Sequence, residues 1–575
     1  MMNKILKKLT GEKEMKNRII YLSLLLLTAL FINTGCDLIS SDSLNENPPH
    51  IVTTDDIYKD LAGFEAGLNG LYAIVRQEME LGGFNRLPAE IAYGNGTDVL
   101  SANSALRDDS FSRIAENYGD VVNPRDPWLT RYFEWLYRII NSSNSIINQA
   151  NDREINWNGD DNRNRIIGEA RAIRAWAYRH LTNNFGDVPL NLDEASGETI
   201  RTDWTRTPVN EVRKQIIDDL LFAEANIPVE QSMQGRLTRG AVQHYLSEMY
   251  LVLGNYQSAL QWADRAINTP EYQLITERYG VRLDQEGIPF MDMHIQGNRN
   301  RNAGNTEALW VFQFAYDQVG GGSHGYRNVH MSRYASIVEG GVNPIRVTPI
   351  RGGTGSTRAS LTNFMINLYE PNDDRGSNLA IRKYFILKDA EQNAPFSADR
   401  LPDGYAYGDT LWMDWGHEVG VNEISPSKRI NVRRPFSRKV EGVNPNDLMA
   451  WDSANNVIRL RLADTFMLKA EAQYRLGDLN GAAETINIIR QRSNASPISA
   501  NQVDIDFILD ERARELVWEE DRRYHLIRMG KLVERTRKYN FNGGQFISER
   551  DTIFPIPQNV IDANLTGEMP QNPGY

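Results

Sequence analysis

The sequence has almost no cysteine: Cys36 is the single one in 575 residues. One thiol excludes a disulfide within the chain, and it excludes zinc sites and iron–sulfur clusters that need several cysteines. Basic residues are fewer than acidic ones: 63 Lys and Arg against 75 Asp and Glu give a net charge of −12. A general nucleic-acid binder needs a basic face, and the chain has no Lys/Arg-rich block, so we expect no nucleic-acid partner.

Motifs of common catalytic and cofactor sites are also lacking. The histidines have no HExxH spacing, the glycine clusters lack the Gly-Lys-Ser/Thr of a phosphate-binding loop, and no Gly-x-Ser-x-Gly occurs. Asp292 and His294 are too few to hold a metal by themselves. We therefore predict no catalytic residue, no metal and no cofactor. Because the many acidic residues could supply the two carboxylates of glycoside hydrolysis, an all-helical glycosidase stays open as an alternative.

The most apolar segment, residues 19–32, is too short to be a membrane-spanning helix. It has 14 residues, whereas a bilayer needs about 20. Its position after Lys16 and Arg18 is typical of an export signal, and Met15 is then the natural start.

This apolar segment ends in Asn33-Thr34-Gly35-Cys36, which resembles a bacterial lipobox although Asn33 stands where Leu is usual. We interpret residues 1–35 as a lipoprotein signal peptide and Cys36 as the lipidation site, whose acyl chains would hold the protein at a membrane. An ordinary signal with an incidental cysteine is the alternative. The polar residues 36–50 predict a flexible tether.

Helical periodicity dominates the first half of the mature chain. Apolar residues recur every three or four positions from Leu129 to Ile147, and again from Ile166 to Leu181. Each spacing predicts a helix with one buried face. The second helix is expected to end at Gly186, just before Pro189.

Two segments resemble the helix pair of a tetratricopeptide repeat. The first spans residues 240–270, with Tyr256 and small residues at the close-packing positions, and the second spans residues 463–490. Because such repeats normally adjoin one another, a large insertion must separate them. We divide the mature chain into a helical region at 51–274, an irregular, loop-rich insertion with short strands at 275–457, and a helical region at 458–575.

Aromatic residues that lie close to polar ones suggest a sugar-binding function. Flat rings pack against the apolar side of a sugar, and amide, carboxylate and guanidinium groups bind its hydroxyls. Packing within the protein is the competing interpretation at each position, and we predict that Trp128 and Trp310 are core residues. The candidate binding residues fall in three clusters, namely Tyr93, Asn95 and Asp98; Tyr326, Arg327 and Tyr334; Trp412 and Trp415.

A last helix is predicted at residues 504–535, and it is densely charged. The pairs Asp510–Arg514 and Glu519–Arg523 have the favourable i,i+4 spacing. We interpret the charges at 510–523 as a network that is either solvated or shared between helices.

In their order and spacing, several phrases together resemble the SusD/RagB family of outer-membrane lipoproteins from Bacteroidetes. The family's Glu-Gly-x-Arg is replaced here by Glu519-Glu520-Asp521-Arg522, and His525 stands where Asp is common. The matching phrases are the lipobox at Cys36, Glu169-Ala170-Arg171, Phe185-Gly186-Asp187-Val188-Pro189, Arg461-Leu462-Ala463-Asp464, Glu511-Arg512-Ala513-Arg514-Glu515-Leu516, Pro555-Ile556-Pro557 and Gln571-Asn572-Pro573-Gly574-Tyr575.

The resemblance implies a mainly α fold, a SusD-like superhelix of tetratricopeptide-like helix pairs that carries the insertion. It also implies a non-catalytic, lipid-anchored protein, exposed at the cell surface on the outer membrane, that binds a nutrient, usually a glycan. The implied partner is a SusC-like TonB-dependent transporter, which takes up the ligand. An envelope scaffold for protein interactions is a further alternative. The ligand stays open between a polysaccharide and a peptide, and the net charge disfavours a strongly anionic polysaccharide unless a local basic patch overrides it.

Overall fold

The computed structural model describes residues 54–80, 91–102, 118–119, 122–196, 200–356, 359–387, 401–415 and 433–575. The predicted signal peptide at 1–35, the lipidation site Cys36 and the tether at 36–50 lie outside these ranges. Among the helices in these ranges, none has both the length and the apolar character that a bilayer crossing requires.

The frame of the protein is helical. The residues from Asp60 onward form one compact unit. In chain order the helices are α1 (Thr54–Ile57), α2 (Leu61–Arg76), α3 (Ile91–Gly94), α4 (Pro127–Asp152), α5 (Asp160–Phe185), α6 (Val209–Asn226), α7 (Arg239–Val252), α8 (Tyr256–Ile267), α9 (Pro289–Asp292), α10 (Tyr326–His330), α11 (Asn363–Ile366), α12 (Leu462–Arg475), α13 (Leu479–Arg492), α14 (Ile505–Leu516), α15 (Arg522–Arg528), α16 (Leu532–Tyr539) and α17 (Gln558–Asp562).

The strands are short, and each one pairs with one other strand to form a two-stranded sheet. The pairs are all antiparallel: β1 with β3, β2 with β8, β4 with β7, and β5 with β6. The strands are β1 (Leu100–Ala102), β2 (Ala308–Phe312), β3 (Ala359–Leu361), β4 (Ile381–Arg382), β5 (Tyr384–Ile386), β6 (Thr410–Trp412), β7 (Phe436–Ser437) and β8 (Val457–Arg461).

The two periodic segments of the first half form the helices that their spacing predicts. In α4 the Asp126 carboxylate caps the amino end by accepting from the Trp128 backbone N–H at 2.8 Å. The apolar residues from Leu129 to Ile147 and from Ile166 to Leu181 face the core, where they are almost fully buried. Helix α5 ends at Gly186, whose φ of 70° favours glycine. Trp128 and Trp310 lie in the core, as predicted.

The two tetratricopeptide-like pairs, α7/α8 and α12/α13, are neighbours in space although the insertion separates them in sequence. Helix α8 packs on α12, and small or aliphatic side chains such as Ala259, Leu468 and Ala472 are buried between them. Strands β2 and β8 pair with Ala308 opposite Arg461, directly before α12 begins. The helical stack therefore continues from α8 to α12 although about 190 residues separate them in sequence.

The predicted long helix at 504–535 is instead three helices, α14, α15 and α16. Trp518 adopts a φ of 72°, in the left-handed region that an L-residue rarely occupies, between α14 and α15. Gly530, with a φ of 70°, separates α15 from α16. The periodic charge pattern alone does not reveal these breaks, because each one depends on backbone geometry at a single residue.

The charged residues of α14 and α15 belong to a buried network shared between elements, one of the two predicted interpretations. Three arginines from other parts of the chain converge on Glu515, whose side chain is fully buried. Arg375 lies 3.0 Å and Arg461 2.5 Å from its carboxylate oxygens, and Arg492 also pairs with it. Burial alone would raise the pKa of Glu515, but Arg492, Arg461 and Arg375 together hold it well below its usual range.

This network predicts a protein that loses stability in acid. Burial opposes ionisation of Glu519, but Arg461, Lys439 and His294 outweigh it and lower its pKa from 4.5 to about 2. Burial lowers the pKa of His324 from 6.5 to about 3. In both cases the unfolded chain binds protons at a higher pH than the folded chain, so acidification favours unfolding.

We therefore expect the free energy of unfolding to decrease as the pH falls below about 6.5, and more steeply below about 4.5, where carboxylates also take up protons. Urea unfolding followed by tryptophan fluorescence at a series of pH values measures this. A free energy of unfolding that is constant between about pH 7 and about pH 4 would contradict it.

Candidate functional site

The first predicted cluster lies in the interior, where Tyr93 and Asn95 line a small cavity, and its contact with a ligand stays a prediction. Tyr93, Asn95 and Asp98 are all buried. The Tyr93 hydroxyl lies 3.0 Å from that of Tyr132. Asp98 accepts a two-pronged hydrogen bond from the Arg522 guanidinium, with distances of 2.9 and 2.6 Å. These residues join the N-terminal segment to the C-terminal helices.

The second predicted cluster is also part of the core. The side chains of Tyr326, Arg327 and Tyr334 are all buried. The Arg327 guanidinium donates to the Gly442 carbonyl at 2.6 Å and so ties together two loops of the insertion. Tyr334 stacks on Phe436, with ring centroids 6.3 Å apart. The rings and charges of these residues are used in packing, and their contact with a ligand stays a prediction.

The third predicted cluster lies at the surface. Strands β5 and β6 pair with Tyr384 opposite Trp412, which puts both rings on one face of the hairpin. Their centroids are 4.9 Å apart in an edge-to-face arrangement. Trp415 follows at 6.3 Å from Trp412. The Trp412 side chain is 54% exposed, and Tyr384 and Trp415 are half-buried. We call these three residues the aromatic platform.

Strand alternation explains why the platform faces outward. Successive side chains of a strand point to opposite faces of the sheet. Phe385 and Leu411 occupy the inner face of the hairpin, where each is 1% exposed. Burying these two residues anchors the hairpin and directs Tyr384 and Trp412 away from the core.

Polar groups border the platform. The Arg433 guanidinium donates to the Trp412 carbonyl at 3.2 Å and pairs with Glu339 at 2.8 Å. Asp414 is exposed beside them, and its backbone N–H donates to the Arg433 carbonyl. Flat apolar rings flanked by charged and polar groups are the arrangement that fits a sugar, which has apolar faces and hydroxyl edges.

The sequence interpretation found Trp412 and Trp415 but missed Tyr384. The sequence signal for a strand there is the short apolar run Tyr384-Phe385-Ile386-Leu387, which does not tell which side chain faces solvent. What could not be read is that this stretch pairs with residues 410–412 across an intervening segment. In the described parts of the chain, no group of three or more His, Cys, Asp and Glu side chains is arranged to hold a metal ion.

Comparison with known proteins connects this fold to one family. A model described as "SusD family" matches residues 306–575, and a model described as "Starch-binding associating with outer membrane" matches residues 58–251. The SusD-like protein P2 of Formosa agariphila is 25% identical over 567 residues, which are 95% of this chain and 99% of the relative.

Solved structures share the architecture. A laminarin binding SusD-like protein superposes with a TM-score of 0.63 and 21% identity over 90% of this chain and all of that one. Surface glycan-binding protein A from Bacteroides fluxus gives a TM-score of 0.66 and 16% identity over 89% of this chain and 99% of that one. The predicted mainly helical, tetratricopeptide-like fold is confirmed.

Proposed function

The chain belongs to the SusD/RagB family, and from this we propose that it binds a glycan at the outer membrane and delivers it to a SusC-like TonB-dependent transporter. The glycan is held on the aromatic platform. The protein itself catalyses no reaction. Its helical frame keeps the insertion, and with it the platform, in a fixed position.

The exposed aromatic platform carries this proposal. The Trp412 indole is 54% exposed and lies beside two further aromatic rings, so the three together present an apolar surface that a sugar ring can cover. Tyr384 and Trp415 widen the apolar surface, and the groups around Arg433 supply hydrogen bonds for hydroxyls. The names of a laminarin binding relative and of a surface glycan-binding relative support the same ligand class.

The membrane part of the proposal rests on the amino terminus. Lipidation of Cys36, followed by a short polar tether, would attach the helical frame to the outer membrane. The family description "associating with outer membrane" supports this location. The transporter partner would then receive the glycan from the protein.

A panel of polysaccharides tests binding against catalysis. We expect the full-length protein, purified in detergent, to bind at least one of starch, laminarin and other glycans in affinity electrophoresis and calorimetry. Reducing sugar should not accumulate during the incubation. Release of reducing ends would favour the glycosidase alternative, and a peptide ligand with no glycan binding would favour the scaffold alternative.

Lipid attachment has its own test. Cells that are labelled with radioactive palmitate should incorporate label into the wild-type chain and not into Cys36→Ser. The variant should also leave the membrane fraction, because two or three acyl chains are what hold a lipoprotein firmly. The matched control is Ser40→Ala, four residues along the same polar segment, which should be labelled normally. Label in Cys36→Ser would overturn the assignment.

A further inference from the structure

A second site lies in the insertion, apart from the platform residues. A cavity of about 470 Å³ is enclosed by the segments 278–296, 349–352, 379–382 and 438–443. Gln285 and Glu286 at its margin are exposed, so the cavity opens to solvent. Its volume falls in the range of small-molecule sites. We call it the arginine cavity after the five arginines that line it, namely Arg278, Arg282, Arg351, Arg382 and Arg438.

Positive charge is in excess in this cavity. Asp292 is engaged by Arg278 at 2.6 Å, which neutralises that arginine. Glu441 lies 3.2 Å from Arg382 and 2.9 Å from Arg438, so one carboxylate is shared by two guanidinium groups. Arg282 and Arg351 add two further positive charges, and the exposed Glu286 at the margin adds one negative charge, so the five arginines still outnumber the three carboxylates of the lining. A local excess of one sign inside a concave surface attracts ligands of the other sign, whatever the net charge of the whole protein.

The surroundings of Arg382 give the strongest support for an anionic ligand in this cavity. It is 6% exposed, and among the described residues its Nε has no hydrogen-bond partner. Burial, followed by the nearby charge of Arg438, lowers the pKa of Arg382 to about 10, and Arg351 adds to this effect. A buried guanidinium with incomplete pairing is costly, and an anion that enters the cavity would offset this cost.

The arginine cavity is physically connected to the platform hairpin. The guanidinium groups of Arg351 and Arg382 lie 5.5 and 5.2 Å from the centre of the Phe385 ring. Phe385 is the neighbour of Tyr384 in β5 and points to the opposite face. The two sites are therefore on the two sides of one short hairpin.

We propose that the arginine cavity binds the carboxylate or sulfate group of an anionic sugar. Guanidinium groups match both anions through pairs of parallel N–H donors, and such charge-assisted bonds are stronger than neutral ones. This inference rests on the proposed glycan-binding function and narrows its substrate class to glycans that contain uronic acid or sulfate ester. Guanidinium groups would bind a uronate, a sulfate ester or a free inorganic anion in the same way. The experiment therefore uses separate probes to distinguish these three ligands.

Calorimetry with four probes tests the cavity: a uronic-acid oligosaccharide, a sulfated oligosaccharide, a neutral laminarin oligosaccharide and sodium sulfate. We expect the wild-type protein to bind at least one anionic oligosaccharide, with an affinity that decreases as salt is added. Arg382→Gln should weaken that binding by about tenfold, since a hydrogen bond to a charged group is lost.

Two further variants keep the test decisive. Arg282→Gln changes a partly exposed member of the lining and reports on the cavity even if Arg382→Gln folds poorly. Arg201→Gln removes a 52% exposed arginine outside the cavity and should bind like the wild type.

The outcomes separate this inference from the proposed function. Neutral binding with no anionic binding, or anionic binding that neither cavity variant weakens, would overturn the cavity assignment and leave glycan binding intact. Binding of sulfate but of neither anionic oligosaccharide would overturn the assignment to a sugar. Absence of binding to every glycan would defeat the proposed function itself.

Discussion

Trp412→Ala is expected to weaken binding of the glycan by roughly 30-fold, the largest functional effect that we foresee for a single residue. Truncation of a central aromatic anchor costs about 2 kcal/mol or more at binding sites, and each 1.4 kcal/mol is a factor of ten. Calorimetry or affinity electrophoresis with the polysaccharide that the panel identifies measures the change. Trp412→Phe should lose less, because it keeps a flat ring.

The exposed area of Trp412 supports this magnitude. Tryptophan offers roughly 250 Å², of which about half is uncovered, and covering about 125 Å² at about 25 cal/mol/Å² is worth about 3 kcal/mol. The backbone of the hairpin does not depend on the indole, since the Arg433 guanidinium bonds to the Trp412 carbonyl. We therefore expect the variant to fold with a stability within about 0.5 kcal/mol of the wild type.

The matched control for Trp412→Ala is Trp451→Ala. Trp451 is 59% exposed and lies outside the platform. If sugar recognition is localised on the hairpin, Trp451→Ala should bind glycan like the wild type. Equal losses for both variants, or unchanged binding in Trp412→Ala, would contradict the platform assignment.

Glu515→Gln is expected to lower the free energy of unfolding by about 3–5 kcal/mol. The substitution keeps the size of the side chain but removes the charge that three buried guanidinium groups share. Those arginines cannot lose their protons at neutral pH, so each keeps a buried charge and loses one of its carboxylate partners. Urea or guanidinium unfolding followed by circular dichroism measures the loss.

An exposed ion pair gives the comparison for Glu515→Gln. Glu534 pairs with Lys531, and its side chain is 61% exposed. Glu534→Gln removes the same charge from solvent-screened surroundings, so we expect a change of about 0.5 kcal/mol or less. A similar loss in both variants would mean that the buried network contributes no more than a surface pair.

Much of the helical frame could be predicted from the sequence, because helix formation depends on local periodicity. The spacing from Leu129 to Ile147 and the small residues around Tyr256 correctly indicated helices that pack closely. The adjacency of the two tetratricopeptide-like pairs was not predictable, because it depends on packing between side chains such as Ala259 and Leu468, which are far apart in sequence.

The candidate site was predictable only in part. Aromatic residues beside polar ones occur in all three predicted clusters, and composition does not tell which cluster is buried. Asp98 accepts hydrogen bonds from Arg522, a residue 424 positions away, and no local sequence pattern indicates such a partner. Tyr384 was missed for the related reason that its neighbour Trp412 belongs to a different strand, which is distant in sequence.

By itself the sequence determined the long helices of the first half, the repeat-like pairs, the family resemblance and the presence of aromatic and charged residues between those pairs. The tertiary structure alone decided which aromatic rings reach solvent, which charges are buried around Glu515, and which arginines share one cavity. Secondary structure follows from contacts between residues a few positions apart, whereas exposure and charge pairing are set by residues that only the folded chain brings together.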